Sequence, residues 1–380
     1  MEEIFIIGGN HHNTLGVLRS LGYKGVKSNL ILVTEATRPY TKFSKYIKNL
    51  FIVCNDKDAV TLLIKKKKSL EHAVVIACSD GASAAIDQNY DQLNDVYSIP
   101  GCNGHLTKYM DKEIMSQTGK TVGFNVPRSW VVETVSDIDN VDYPCITKPI
   151  LSKDGKKTDI KICKDRKMLE DTIQAGSCYR YQVQEYIEKD FEYQLIGLSI
   201  NQGKEVVIPG ISRCVRPCPG TNTGFLHYIG LDKISVPLEK CIDFIRKVGY
   251  SGLFSIEFLR DKNGIDYFME MNFRNDGNAI CVTASGSNLP YMWYLANTGG
   301  DYKQETVSSK FKPVYVMPEF ADFSCFVLSR KISFWTWLKD VRRTDKFMEF
   351  DNNDMKPFFV ELNNKFCSAL RRIKYYLWKK

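Results

Sequence analysis

Along the first hundred positions, apolar residues fall into short runs with helix-spaced mixed stretches between them. Residues 4–7, 30–33, 50–53 and 73–78 are unbroken apolar runs, the pattern of strands covered on both faces. Residues 13–21 and 58–67 carry apolar positions at helical spacing. Strand and helix in alternation predict βαβ units and a parallel sheet over residues 1–105. Gly8-Gly9-Asn10 follows the first strand, where such sheets bind ligands, but lacks the G-x-G-x-x-G spacing of a dinucleotide site. A tight strand-to-helix turn explains the two glycines as well.

In the next segment Leu106, Tyr109, Met110 and Ile114 share one helical face, and Gly123 with Pro127 closes it, so the pattern predicts one helix over 106–123. Strands are expected at 143–149, 181–187 and 191–200, with a helix at 167–174 between them. Residues 209–224 hold Arg213, Arg216, three prolines and three glycines, and read as a long irregular loop. A helix follows at 237–248.

Residues 254–259 and 266–272 then alternate as two strands around Lys262-Asn263-Gly264-Ile265. Asn-Gly is the strongest short hairpin signal and predicts a two-residue turn. That register sets Glu257 opposite Glu270 and Ser255 opposite Asn272, with Leu259 and Phe268 on the same face. Opposed side chains have Cβ atoms about 4.5–5.5 Å apart, so the two carboxylates repel unless a cation lies between them. Glu257, Glu270 and the amide oxygen of Asn272 are oxygen donors of the kind magnesium accepts. An exposed acidic face or a salt-bridged pair is the structural alternative.

Composition narrows the class. With 44% hydrophobic and 25% charged residues, the 380-residue chain matches soluble globular proteins of two or three domains. Its apolar runs reach six residues (73–78 and 291–296), against about twenty for a membrane span. The acidic start, Met1-Glu2-Glu3, does not read as a secretory signal. Net charge is +8, but residues 365–380 carry six cations and no acid, so the body is nearly balanced and nucleic-acid wrapping is not expected. The twelve cysteines are scattered, with Cys214 and Cys218 the one close pair, which fits reduced thiols in a cytoplasmic protein. The five histidines show no metal spacing, and His11 and His12 read as structural. The aromatic and basic segments 334–338 and 373–380 suit either a membrane surface or a helix packed on the core with a basic rim.

Several of these pieces occur in a telling order: Asp111-Lys112, Gly123-Phe124-Asn125-Val126-Pro127, Thr147-Lys148-Pro149, Gln184-Glu185-Tyr186-Ile187, Glu192, Glu257, and Glu270-Met271-Asn272-Phe273-Arg274. Over residues 1–300 the chain resembles the ATP-grasp ligases. The segment 270–274 with Val282-Thr283-Ala284-Ser285-Gly286 is most similar to the carboxylate–amine ligase branch that includes D-aspartate ligase, beside the carbamoyl phosphate synthetase-like enzymes. The resemblance implies an α/β and α+β architecture. It comprises an N-terminal parallel-sheet domain (1–105), an ATP-grasp domain (106–300, lid about 128–182) and a small C-terminal extension (301–380). It implies ATP phosphates on Lys112 and Lys148. The adenine hinge would be formed by Glu185 with the backbone of Tyr186, Ile187 and Glu188, and Glu192 would meet the ribose. Two magnesium ions, with manganese as the alternative, would sit on Glu257, Glu270 and Asn272. Arg213 would stand near the γ-phosphate and Arg274 at the acyl phosphate.

The activity implied is phosphorylation of a carboxylate and its coupling to an amine, on small-molecule substrates such as amino acids or envelope precursors. Carboxylation, thioester formation, or nucleotide binding without turnover are the rivals, and a homodimer is left open. Two departures from the family pattern stand out. Residues 151–157 hold one glycine and three lysines where a glycine-rich flap is expected, and Arg213 stands where many relatives carry lysine. Residues 283–290 read as a loop capping a helix, with its free amides offered to a substrate carboxylate as the functional alternative. Asp80-Gly81-Ala82-Ser83, after a core strand, would either touch substrate or turn the chain.

Overall fold

The computed structural model describes residues 2–150, 159–176, 180–219, 223–307 and 311–378. The first five strands are β1 (Glu3–Gly9), β2 (Ser28–Val33), β3 (Ile47–Val53), β4 (Ala73–Ala77) and β5 (Tyr97–Ser98), and they form the expected parallel sheet in the order β3-β2-β1-β4-β5. Helices His12–Gly22, Asp56–Lys66 and Asp80–Gln88 make its crossovers. The inner strands are apolar throughout because both faces are covered, β4 being buried at all five positions.

A second, four-stranded antiparallel sheet is built from β6 (Ser129–Val132), β7 (Cys145–Pro149), β8 (Ile162–Cys163) and β9 (Tyr181–Glu185), in the order β6-β9-β7-β8. The largest sheet holds β10 (Lys189–Ile200), β11 (Glu205–Val207), β12 (Ile211–Pro217), β13 (Gly224–Ile229), β14 (Gly252–Asp261), β15 (Asp266–Asn272), β16 (Val314–Met317) and β17 (Lys346–Phe347). Its order is β15-β14-β10-β12-β13-β16-β17, with β11 beside β10. One face of it shares a core with the N-terminal sheet, in which Ile4, Ile6 and Val74 on one side and Leu198, Leu226 and Val316 on the other are joined through helices His12–Gly22, Ile280–Ala284 and Leu289–Asn297. Phe124, Phe244, Phe258 and Phe268 fill a second core, with Phe124 stacked on Phe268 at 4.8 Å.

Three local expectations change. The helix expected over 106–123 is two, Leu106–Tyr109 and Lys112–Thr121. The break falls at Asp111, whose Oδ1 accepts from Glu113 N at 2.9 Å and Ile114 N at 3.0 Å and so caps the second helix. The loop expected over 209–224 is largely the β12–β13 pair, because its prolines and glycines cluster at the strand ends and leave residues 211–217 free to pair.

The hairpin turn is three residues long, not two. Asp261 N donates to Ile265 O at 3.0 Å, Gly264 N to Asp261 O at 3.1 Å, and Gly264 takes the left-handed φ of 82° that closes such turns. The register is thereby one residue off near the turn, Phe258 facing Phe268. A bulge then inserts Met269, so that Glu257 opposes Glu270 and Ser255 opposes Asn272 after all. The two departures cancel at the carboxylates. Phe268 does not share the face of Leu259: it lies beside Phe258 in the core on the other side.

Residues beyond 300 return to the body. β16 pairs with β13, and residues 348–354 close over Arg19 of the first helix, which has no exposed surface. Its guanidinium bonds Asp354 Oδ2 (3.2 Å), Met348 O (3.1 Å), Glu349 O (2.8 Å) and Asp354 O (3.0 Å).

Candidate active site

A cleft of about 800 Å³ opens between the small antiparallel sheet and the largest one, a volume in the range of ligand pockets. Strand alternation decides its lining. Because β10 pairs with β14, Glu192 stands opposite Leu259 and Gln194 opposite Glu257, and all four face the cleft. β7 contributes Ile146 and Lys148 from above, and β9 contributes Gln184.

Toward the end where β9 turns to β10 the cleft is lined by Ile187 and by Leu259, which stands opposite Glu192, and Ile146, Ile160, Ile162 and Met269 add to its apolar lining. Glu185, Tyr186 and Ile187 border it where β9 turns toward β10. Glu185 is held by Arg128 at 2.8 Å, and the amide of Tyr186 donates to Pro144 O at 3.0 Å. The Tyr186 N–H is therefore engaged within the protein. Glu188 turns its side chain outward to Lys262, while Glu192 faces the cleft and accepts from Lys189 at 2.9 Å.

The other end is charged. Lys148 Nζ donates to Gln184 Oε1 at 2.8 Å, and Lys112 Nζ lies 4.0 Å from Glu270 Oε2. Burial, and secondarily the Lys112 charge, lowers the Lys148 ammonium from 10.5 to about 8, with Glu270, Glu257 and Glu192 opposing the change. Glu257 Oε1 accepts from Gln194 Nε2 and from Asn272 Nδ2, both at 3.0 Å.

The donor set fits a hard cation in kind, with two carboxylates on one face and an amide beside them. Among the described residues no group of three or more His, Cys, Asp or Glu could hold an ion. Any divalent ion here would need Asn272, water or phosphate to complete its shell. As placed, Asn272 donates its Nδ2 to Glu257 Oε1, and its Oδ1 accepts from Arg274 Nη2 at 3.1 Å. A half-turn of the amide, which exchanges two atoms of similar shape, would bring the oxygen beside the carboxylates.

Arg274 closes this end. Its Nε donates to Asp80 Oδ1 at 2.9 Å and its Nη1 to Asn275 O at 3.2 Å. The loop that carries it is fastened to the N-terminal sheet. Asn275 N bonds Ala77 O at 3.1 Å, Asn13 Nδ2 bonds Asn275 O at 2.8 Å, and Ser83 Oγ bonds Phe273 O at 2.8 Å. Asp80 and Ser83 thus hold the arginine's loop.

Lys112, Lys148, Glu185, Tyr186, Ile187, Glu192, Glu257 and Glu270 line one cleft, and Asn272 and Arg274 bond to its wall. Arg213 does not join them. Ser212 and Cys214 of β12 face the cleft, so the two-residue period turns Arg213 to the opposite face, where its guanidinium lies 4.3 Å from the Phe191 ring centre. The helix start at 289 is also plain capping, since Asn288 accepts from Tyr291 N at 3.1 Å and donates to Ser20 O at 2.6 Å. Gln184 was named with its motif but given no role, and Gln194 and Asn278 were missed. Each is a buried amide, Gln184 on Lys148, Gln194 on Glu257 and Asn278 on Gln194, and strand alternation from Glu192 would have found Gln194. The glycine-poor flap, 151–157, lies outside the described residues.

No protein-family model matches the chain, and no curated protein matches it significantly. Solved structures do. An L-amino acid ligase from Bacillus licheniformis superposes with a TM-score of 0.64 at 16% identity, covering 83% of this chain and 78% of its own. An N5-carboxyaminoimidazole synthetase from Staphylococcus aureus gives 0.63 at 15% identity, covering 87% and 86%. The biotin carboxylase domain of 2-oxoglutarate carboxylase from Hydrogenobacter thermophilus, solved with MgADP and bicarbonate, gives 0.64 at 15%, covering 83% and 73%. These neighbours are ATP-grasp enzymes, and the chain has the ATP-grasp fold.

Proposed function

We propose that this chain is an ATP- and magnesium-dependent ligase that activates a carboxylate as an acyl phosphate and couples it to an amine. The observation that carries the reading is the polarity of this cleft. An apolar, hinge-bordered end suits a purine, and an end with two lysines and two opposed carboxylates suits a metal-bound triphosphate. The reading takes Glu185, Tyr186, Ile187 and Glu188 as the hinge and Glu192 as the ribose acceptor.

Joining a carboxylate to an amine is uphill until the acid is activated, and phosphoryl transfer asks chiefly for alignment and charge neutralisation. Magnesium, held by Glu257, Glu270 and Asn272, would neutralise phosphate charge and align the transferring group. Lys112 and Lys148 would add fixed positive charge on the phosphate side. The Lys148 ammonium is already partly desolvated, so a bound phosphate would stabilise a charge that burial disfavours. Arg274, anchored by Asp80, would meet charge developing on the acyl oxygen without having to reorganise. Among the described residues the cleft is not lined by a Ser-His-Asp or Cys-His set, and attack of an amine on an acyl phosphate needs no side-chain nucleophile.

The Bacillus neighbour is an L-amino acid ligase, and the reading takes amide formation from it, while the Staphylococcus synthetase and the Hydrogenobacter biotin carboxylase match as well and make carboxylation the rival. The test is ADP release with candidate acids, alone and with amines. Release that depends on the acid and rises with the amine supports the ligase. Release driven by bicarbonate without an acid would replace it with a carboxylase. Glu270→Ala should abolish turnover while the circular dichroism spectrum stays that of the parent, and retained turnover would remove Glu270 from the metal set.

A further inference from the structure

Large apolar side chains are exposed unevenly on this molecule. Eight of them, Leu328, Phe334, Trp335, Met355, Phe359, Leu362, Phe366 and Leu370, lie between residues 328 and 370. Trp335 is 71% exposed and Phe366 62%. They sit on elements packed together. Helix Glu319–Asp322, continued by the π-helical turn Phe323–Leu328, stacks Phe320 on Phe358 of helix Lys356–Trp378 and sets Phe323 against Trp337 of helix Phe334–Arg343.

On helix Lys356–Trp378 the exposed residues Phe359, Leu362, Phe366 and Leu370 fall at spacings of three and four and form one stripe. Every residue from 365 to 371 is exposed, so no described residue covers this part of the helix. A helical segment of this length without tertiary support is marginal in water. The stripe calls for an occupant.

Charge selects it. Glu361 is the helix's one acid, and Lys365 pairs with it at 3.2 Å, whereas residues 365–380 carry six cations and no acid. Arg330 and Lys331 follow Leu328, and Lys339 lies on the Trp335 helix, all exposed. A second copy of the chain would set cations against cations. Aromatic and aliphatic side chains bordered by cations match the headgroup boundary of an anionic bilayer, where each cation contributes about 1 kcal/mol. Among the described residues no helix is long and apolar enough to cross a membrane, so the contact is peripheral. We propose that this face, centred on Trp335, Phe359 and Phe366, docks the protein on an anionic lipid surface.

The test is co-sedimentation of the full chain with vesicles of phosphatidylcholine, alone or mixed with phosphatidylglycerol. The protein should pellet with the mixed vesicles, remain in solution with the neutral ones, and be released by high salt. Trp335→Ser with Phe366→Ser should weaken binding at least about tenfold. Both side chains are exposed, so the variant should keep the parent's thermal unfolding and its response to MgADP. Equal binding to neutral vesicles, or binding untouched by the double substitution, would overturn the proposal. So would a failure to pellet with either vesicle. A self-associating chain dispersed by the double substitution would assign the face to a second copy, and an acidic protein domain that binds while vesicles do not would assign it to a protein.

Discussion

Lys148→Met replaces an ammonium on the cleft wall with an apolar side chain of similar length, and its two consequences should run in opposite directions. Burial lowers the ammonium from 10.5 to about 8, so at neutral pH the charged form costs the folded state about 3 kcal/mol relative to the unfolded chain. The side chain is only half-buried along an open cleft, and water there reduces the figure to about 2 kcal/mol. The substitution also removes the 2.8 Å bond to Gln184, worth about 1 kcal/mol. The nucleotide-free variant should therefore be more stable than the parent by about 1 kcal/mol at pH 7. Between pH 8 and 10.5 the unfolded lysine holds a proton that the folded one has released, so the parent gains stability as pH rises. The difference should shrink across that window. Denaturant melts at several pH values, with and without MgADP, read both effects. The nucleotide-induced stabilisation expected of the parent should be lost in the variant. A variant less stable than the parent at pH 7, or one that still binds MgADP with the parent's affinity, would refute the argument.

Arg213→Ala should leave turnover within about twofold of the parent, since the guanidinium lies over Phe191 on the far face of the sheet; a loss of several orders of magnitude would return Arg213 to the site. Glu319 and Glu349 are a buried pair, both raised, chiefly by burial, while Glu319 accepts from the amides of Met348, Glu349 and Phe350. The folded chain keeps a proton here that the unfolded chain releases above the ordinary glutamate range, so stability should fall as pH rises from there. Glu349→Gln supplies an N–H donor in place of that proton. It should flatten the slope and raise the melting temperature near neutral pH, and an unchanged slope would show that the pair does not share a proton.

How much of this was legible in the sequence depends on the range of the signal. The parallel sheet was readable because strands such as 73–77 are apolar without interruption. The opposition of Glu257 and Glu270 was readable from Asn263-Gly264, although through a turn of the wrong length and without the Met269 bulge that compensates for it. Arg213 was misplaced for want of strand phase: once its segment is a strand, its parity with Ser212 and Cys214 settles which way it points. The Asp80–Arg274 contact joins residues 194 positions apart, and no local periodicity carries that information. Asp111 was a missed opportunity, because an acid directly before a helical run is a readable cap.

Arg19 makes the last eighty residues indispensable. Shortening the chain after the arginine-bearing loop at 274 and its following helices would strip away Met348, Glu349 and Asp354, take the carboxylate and three carbonyl acceptors from the Arg19 guanidinium, and uncover the face of the first helix on which they close. Losing a buried, fully bonded charge pair together with the apolar contacts around it costs several kcal/mol, a large share of what holds a protein of this kind together. The smallest stable unit of this fold is therefore longer than the cleft it encloses, and a search for independently folding fragments should begin elsewhere than at residue 300.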